Sequence, residues 1–303
     1  MKIERGEVVE WVQPLQGKVV GVTGASGFLG RSVRKAFLAV GAKVLPFSRR
    51  PARLECFAGE ETAREFRTDG KLDFSECQIV LHLAGENVFG VWTQKKRQRI
   101  LESRIEGTRA VVRAIQRSAQ PVTLICASAT GFFGDRGEEE LTEDSPRGNG
   151  FLAEVCQRWE AEARKAEENG ARVCIVRLGM VLGKTGGAFP ILRSLFWFGL
   201  GGMVGSGKQW MPAVHILDAV RIFLALAADL RLCGVFNASV PSPFRSEEFV
   251  WELARLLRRP AIFHLPSFFV RMVLGELSEL ILASQRVFPK RLLGIPFGFV
   301  APN

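Results

Sequence analysis

With 303 residues, 47% of them hydrophobic, the chain is long enough for one large domain or two modest ones with a real core, which excludes disorder as its default state. Its net charge of +10 raises the question of an acidic partner. The densest basic run, QKKRQR at 94–99, carries no interleaved aromatic residues on which bases could stack, so it reads as a solvated helix face and disfavours nucleic acid as a partner.

From the N-terminus onward, MKIERGEVVEWVQPLQGK interleaves charges with apolar groups and offers no continuous apolar run for a signal peptide. Residues 1–17 are therefore an N-terminal extension, and a reduced, cytoplasmic compartment is expected. Strands are predicted at 18–24, 42–48, 77–84, 121–128 and 171–179, each a short run of branched apolar residues, with helical segments between them. This alternation predicts an α/β fold whose parallel strands are covered on both faces by crossover helices. The nucleotide-binding core occupies 18–180, with later segments returning to it, and a smaller, mostly C-terminal substrate lobe occupies 181–303. Within that lobe, 195–205 and 265–285 are too short or too charged to span a bilayer. The second could lie on a membrane surface as an amphipathic helix, but is read as a core-facing helix with a polar edge.

Several side chains invite chemical roles. Gly24, Gly27 and Gly30 in GVTGASGFLGRSV stand at the first strand-to-helix turn, where glycines permit a tight turn, close backbone approach to a pyrophosphate, and helix–strand packing. At the end of the second strand, where an NAD site places an acid on the ribose, the chain reads PFSRRPAR, with Ser48, Arg49 and Arg50. A guanidinium grips a 2′-phosphate that a carboxylate would repel, so NADP(H) is the expected cofactor. The cysteines Cys56, Cys77, Cys126, Cys156, Cys174 and Cys233 form no CxxC pair and the three histidines are scattered, so no metal site or disulfide framework is expected. His82 lies inside a strand and reads as a core histidine. His215 is expected to orient the entry to the next helix, with Asp218 as a structural hydrogen-bonding group. Glu86, just past a strand end, either faces substrate or caps a helix. Lys208, Gln209 and Trp210, in the glycine-rich loop 199–210, are candidate substrate contacts.

The succession TGASGFLG, SRR, LHLAGEN and SATGFFG resembles the extended short-chain dehydrogenase/reductase superfamily. More narrowly, LAGEN, WTQKKRQRILESRIEGT, SATGFFGDRGEEELTEDSP, RLGMVLGKTGGAF and GSGKQWMPAVHILD resemble its subgroup of epimerase family proteins, or NADP-dependent oxidoreductases. The ending, from RRPAIFHLPSFF, resembles that subgroup's small C-terminal domain, here from about residue 255. The resemblance implies a Rossmann-type doubly wound sheet of about seven strands. It also implies Gly24, Ser26, Gly27, Phe28, Leu29 and Gly30 on the pyrophosphate and Ser48 and Arg49 on the 2′-phosphate. Leu83, Ala84 and Gly85 would line the adenosine-ribose side. Arg104 would reach the cofactor or pair with Glu86 or another acid, and Leu178, Gly179 and Val181 would flank the nicotinamide.

The departures from the superfamily pattern fall on the chemistry. Ala129 stands at the usual serine position, Leu152 at the tyrosine and Cys156 at the lysine; where relatives often have tyrosines this chain has Phe132 and Phe133, and it contains no tyrosine at all. Ser128, Thr130 and Glu86 are left as candidates for catalytic proton handling. An NADP(H)-binding oxidoreductase or nucleotide-sugar-epimerase-like protein acting on an unidentified small molecule is expected. The alternative is a non-catalytic NADP(H)-sensing or regulatory module. Monomer and homodimer both remain open.

Overall fold

Seven parallel strands form the centre of the chain: β1 (Val19–Thr23), β2 (Lys43–Ser48), β3 (Arg64–Glu65), β4 (Ile79–His82), β5 (Thr123–Ala129), β6 (Arg172–Leu178) and β7 (Gly234–Ala238). The structure, a computed structural model, describes residues 9–302; the first eight residues, part of the predicted N-terminal extension, lie outside the described residues. The strand order is β7-β6-β5-β4-β1-β2-β3, so the direction of winding reverses between β1 and β4. In a sheet wound this way the crevice at the carboxyl ends of those two strands is where ligands bind.

The two faces are covered as the buried, branched strands demand. On one side Val20 and Val22 of β1 meet Val33 and Phe37 of α1 (Phe28–Ala39) and Ile222, Phe223 and Leu226 of α5 (Ile216–Ala228), which follows below in the chain. On the other, Val80 and Leu124 meet Val111 and Ile115 of α2 (Gln94–Gln116) and Trp159 of α3 (Phe151–Arg164). The basic run at 94–99 opens α2, and Thr93 caps it by accepting the Lys96 N–H. All five predicted strands are present. β3 and β7 complete the sheet at its two edges, and β7 returns from the C-terminal half to do so.

The smaller lobe contains α4 (Phe189–Trp197), α6 (Ser246–Leu257), α7 (Ser267–Leu274) and short strand pairs, among them Gly202–Val204 with Phe263–Leu265. One expectation is corrected here. Segment 265–285 is not one core-facing helix: it breaks into α7, a 3-10 turn at Gly275–Ser278 and Glu279–Leu282, and Val270 is the one buried residue of α7. The break falls at Gly275, whose φ of +54° is a backbone conformation that favours glycine and cannot continue an α-helix. Among the described residues no helix is long and apolar enough to cross a membrane.

Candidate active site

The crevice is built from backbone first. Gly24 follows β1 with φ +67°, and a Cβ there would come within 2.6 Å of the Leu83 backbone at the end of β4. A side chain at this position would meet both a left-handed φ and a backbone wall, so the turn requires glycine. Ser26 and Gly27 are exposed at the lip, and α1 begins at Phe28 with its N-terminal N–H groups at the crevice. The Phe28 ring is turned onto the hairpin 180–187, where a Cβ on Gly183 would come within 2.6 Å of its Cζ. Arg34 anchors the turn from below: Nη1 donates to the Ala25 carbonyl at 2.8 Å, Nε donates to Glu60 at 2.6 Å, and both members of this ion pair are fully buried.

Beside that turn β2 ends at Ser48, whose hydroxyl accepts the Arg50 N–H, and Arg49 is exposed with no carboxylate within 4.0 Å among the described residues. Past β4, Leu83 and Ala84 are half-buried and Gly85 is exposed. Arg104 reaches back from α2 and lies 3.5 Å from where a Gly85 Cβ would be. Its Nη1 donates to the carbonyls of Glu86 (3.1 Å) and Ile100 (3.2 Å), and its guanidinium faces the Trp159 ring at 5.1 Å. Burial holds its pKa below the ordinary arginine value, with Cys156 and Glu86 acting weakly the other way. The expected alternative of an Arg104–Glu86 ion pair is not formed, because the Glu86 carboxylate takes Lys96 instead, at 2.8 Å. That Lys96 bond, with help from Arg99 and Arg49, holds Glu86 below the usual carboxylate range.

The chemistry-bearing positions sit at the end of β5. The Ser128 hydroxyl is buried and donates to Glu160 Oε1 at 2.7 Å; Arg177 donates to both oxygens of that carboxylate at 2.9 Å. The Arg177 guanidinium lies 3.4 Å from the centroid of the Phe132 ring, and its Nη1 has no hydrogen-bond partner among the described residues. Thr130 opens a 3-10 turn over Thr130–Phe133, buried and without a hydrogen bond to its hydroxyl among the described residues. Leu152 and Cys156 share the face of α3 that meets this turn: a Cβ on Gly131 would lie 3.3 Å from Leu152 Cβ and 3.9 Å from Cys156 Sγ. Burial, reinforced by Glu160, pushes the Cys156 thiol up to about 11.

Leu178 ends β6, and Gly179 then crosses so close to Pro212 that its Cβ would come within 2.9 Å of that backbone. Val181 pairs with Val214 in the next strand pair, and Leu182, Val214, His215, Phe244 and Phe249 line an apolar cavity of about 430 Å³. The loop 199–210 is held by structural bonds. Gln209 is buried and donates to the Val204 carbonyl; Trp210 donates to Glu138, and the guanidinium groups of Arg245 and Arg286 lie 4.4 and 4.8 Å from its ring. Lys208 is exposed. Arg34, Glu160 and Arg177 were not singled out from the sequence. Their partners lie 17 to 32 residues away, and an arginine in a strand or helix carries no local mark of burial.

Residues 20–238 match the NAD dependent epimerase/dehydratase family, and residues 265–303 match a domain of unknown function, DUF1731. The chain is 34% identical over 285 residues to the epimerase family protein YfhF of Bacillus subtilis, covering 92% of this chain and 93% of that protein. It is similar to the crystal structure of the human epimerase family protein SDR39U1 (isoform 2) with NADPH, with a TM-score of 0.85, 30% identity, and coverage of 94% of this chain and 96% of that one. A nucleoside-diphosphate sugar epimerase from Corynebacterium glutamicum is also similar, with a TM-score of 0.77 and 30% identity over 95% of this chain and 56% of that one.

Proposed function

Because the chain belongs to the NAD dependent epimerase/dehydratase family, we propose that it is an NADP(H)-dependent oxidoreductase or epimerase of the extended short-chain dehydrogenase type that works without a tyrosine–lysine pair. One observation carries the reading: a glycine turn with no room for a Cβ stands at the winding reversal, beside an exposed Arg49 where an NAD site would have an acid. The residues present fit the cofactor. The turn at Gly24, Ser26 and Gly27 and the start of α1 through Phe28, Leu29 and Gly30 would hold the pyrophosphate, and Ser48 and Arg49 the 2′-phosphate. Leu83, Ala84 and Gly85 would line the adenosine-ribose side, Arg104 would reach the cofactor from α2, and Leu178, Gly179 and Val181 would flank the nicotinamide. The NADPH complex of the human relative supports this choice. When bound, the cofactor supplies reversible two-electron transfer.

Proton handling falls to the chain's own residues. Glu86, held ionised by Lys96, can accept a proton but donates poorly at neutral pH. Ser128 already donates to Glu160, so it orients the end of β5 and is a poor donor to a substrate oxygen. Thr130 is the hydroxyl left to bond that oxygen, and with an alcohol as acid the turnover is slow. We assign the activity to the cytoplasm and to a small-molecule substrate bound between the core at 18–180 and the lobe at 181–303.

Fluorescence titration with NADPH and NADH tests the cofactor. NADPH should bind at least ~10-fold tighter, a difference of about 1.4 kcal/mol, and equal affinities would overturn the assignment. NADPH oxidation with a panel of carbonyl compounds and nucleotide sugars tests the chemistry. Tight binding with no turnover on any of them would favour a sensing module, the reading that the buried Leu152–Cys156 face supports.

A further inference from the structure

The rim of the small lobe carries an apolar face that is left uncovered among the described residues. Trp197 and Phe198 at the end of α4 are 61% and 77% exposed, Ile262 is 76% exposed, and Phe268 and Met272 of α7 are each 69% exposed. Pairing of Gly202–Val204 with Phe263–Leu265 joins the two regions, and Arg259 lies over the Trp197 ring at 4.6 Å, so they form one surface. Exposed aromatic and aliphatic side chains joined into one face, on a chain with a well-filled core, mark a contact surface.

Charge decides what the contact is with. Residues 185–207 contain Arg193 and no acid, and residues 253–275 contain Arg255, Arg258, Arg259, Arg271 and His264 and no acid. Arg255 is paired with Glu252; Arg193, Arg258, Arg259 and Arg271 have no carboxylate within 4.0 Å among the described residues. Of the next acids along the chain, Glu276 is exposed but already paired, and Glu279 is half-buried. Glu276 pairs with Arg97 of α2 at 2.7 Å, and the Glu279 carboxylate sits at Gly150 and accepts the Leu152 N–H at the start of α3. A second copy docking through a two-fold axis would set this patch against itself, bringing guanidinium groups together with no carboxylate to neutralise them. A bilayer surface supplies the missing anions as headgroup phosphates, seats tryptophan and phenylalanine at headgroup depth, and lets arginine stems lie along the acyl boundary.

We propose that this face, formed by the end of α4, the strand at Phe263–Leu265 and α7, docks the protein on the surface of an anionic phospholipid bilayer. It lies on the membrane and does not cross it. The inference is independent of the cofactor reading.

Co-sedimentation of the full chain with vesicles of mixed phosphatidylglycerol and phosphatidylcholine, and with vesicles of phosphatidylcholine alone, tests it. Binding should be at least ~10-fold stronger to the anionic vesicles and should weaken as salt is raised. The double variant Phe268→Ser/Met272→Ser changes exposed side chains, so it should keep the parental Tm yet lose binding by ~10-fold or more. Arg258→Glu/Arg259→Glu should lose it as well. Equal or absent binding to the two vesicle types would overturn the proposal, as would variants that bind like the parent. A dimer in solution that Phe268→Ser/Met272→Ser converts to monomer would also overturn it, by showing that a second copy covers the face.

Discussion

Cys156 lies one helical turn beyond Leu152, against the turn at Thr130–Phe133, and is 3% exposed. With its thiol pushed up to about 11 by burial, even though the Arg104 guanidinium acts the other way, it stays protonated at neutral pH and carries none of the positive charge that the lysine of the superfamily pattern supplies. Cys156→Ala should therefore leave cofactor affinity and any activity within a few-fold of the parent, and alkylation of the parental thiol should be slow at neutral pH. An activity loss of ~100-fold with the fold intact would make Cys156 a proton donor after all. Arg49 carries the opposite expectation. It is exposed and bonded to no acid among the described residues, so Arg49→Glu should cost little stability while reversing the preference to NADH, because a carboxylate repels a 2′-phosphate and accepts from ribose hydroxyls. Parallel titration of the variant with both cofactors reads this directly, and an unchanged preference would remove Arg49 from the site.

The turn into α1 depends on an element-scale brace that the residue pattern does not show. Arg34 holds the Ala25 carbonyl from inside α1 while its charge is met by Glu60, brought in by the segment after β2. Removing one partner leaves the other charge buried, so Arg34→Met should destabilise by about 3–5 kcal/mol, whereas Arg34→Met/Glu60→Leu should recover part of that loss. Urea unfolding of the single and double variants measures both. His82 braces the neighbouring strand: its ring bonds Thr23 of β1 at 2.8 Å and Thr108 of α2 at 3.1 Å, and burial pulls its pKa down to about 3. The fold keeps it neutral while the unfolded chain takes up a proton below 6.5, so its contribution is complete above that pH and drains as pH falls towards 3. His82→Asn should be less stable at neutral pH but lose stability less steeply across that window. The strands, the glycine turn and His82 were legible because periodicity and turn chemistry are local. β7 was missed because GVFNA has one branched aliphatic residue and borrows its burial from β6. The partners of Trp210, Glu138 and Arg286, were not legible because they come from 72 and 76 residues away.

At the scale of the whole molecule, the C-terminal segment is stitched into the nucleotide-binding core by buried polar groups. Glu143 accepts the N–H groups of Asn237 in β7 and Arg291, Asn237 donates to the Phe288 carbonyl, and Arg286–Val287 pairs with Glu140–Leu141. The last stitch is Asp218. It is fully buried in the first turn of α5, and its two oxygens accept the N–H groups of Val300 and Ala301 at 2.8 and 2.9 Å. A carboxylate suits the site twice over: it offers an acceptor to each of two donors, and its charge opposes the positive end of the α5 dipole. Asp218→Asn keeps the size but replaces one acceptor with an amide that faces a donor. Bonds to a charged acceptor are worth about 1.5–3 kcal/mol each, so the variant should lose roughly that much and melt a few degrees lower. The loss should begin at the end of the chain. Amide exchange at 299–301 should rise well before exchange in β1 or β5, because freeing the tail opens nothing in the central sheet. A variant whose tail exchanges as slowly as the parent's would show that Phe297 and Phe299, packed on the core beside α5, hold the terminus without the carboxylate.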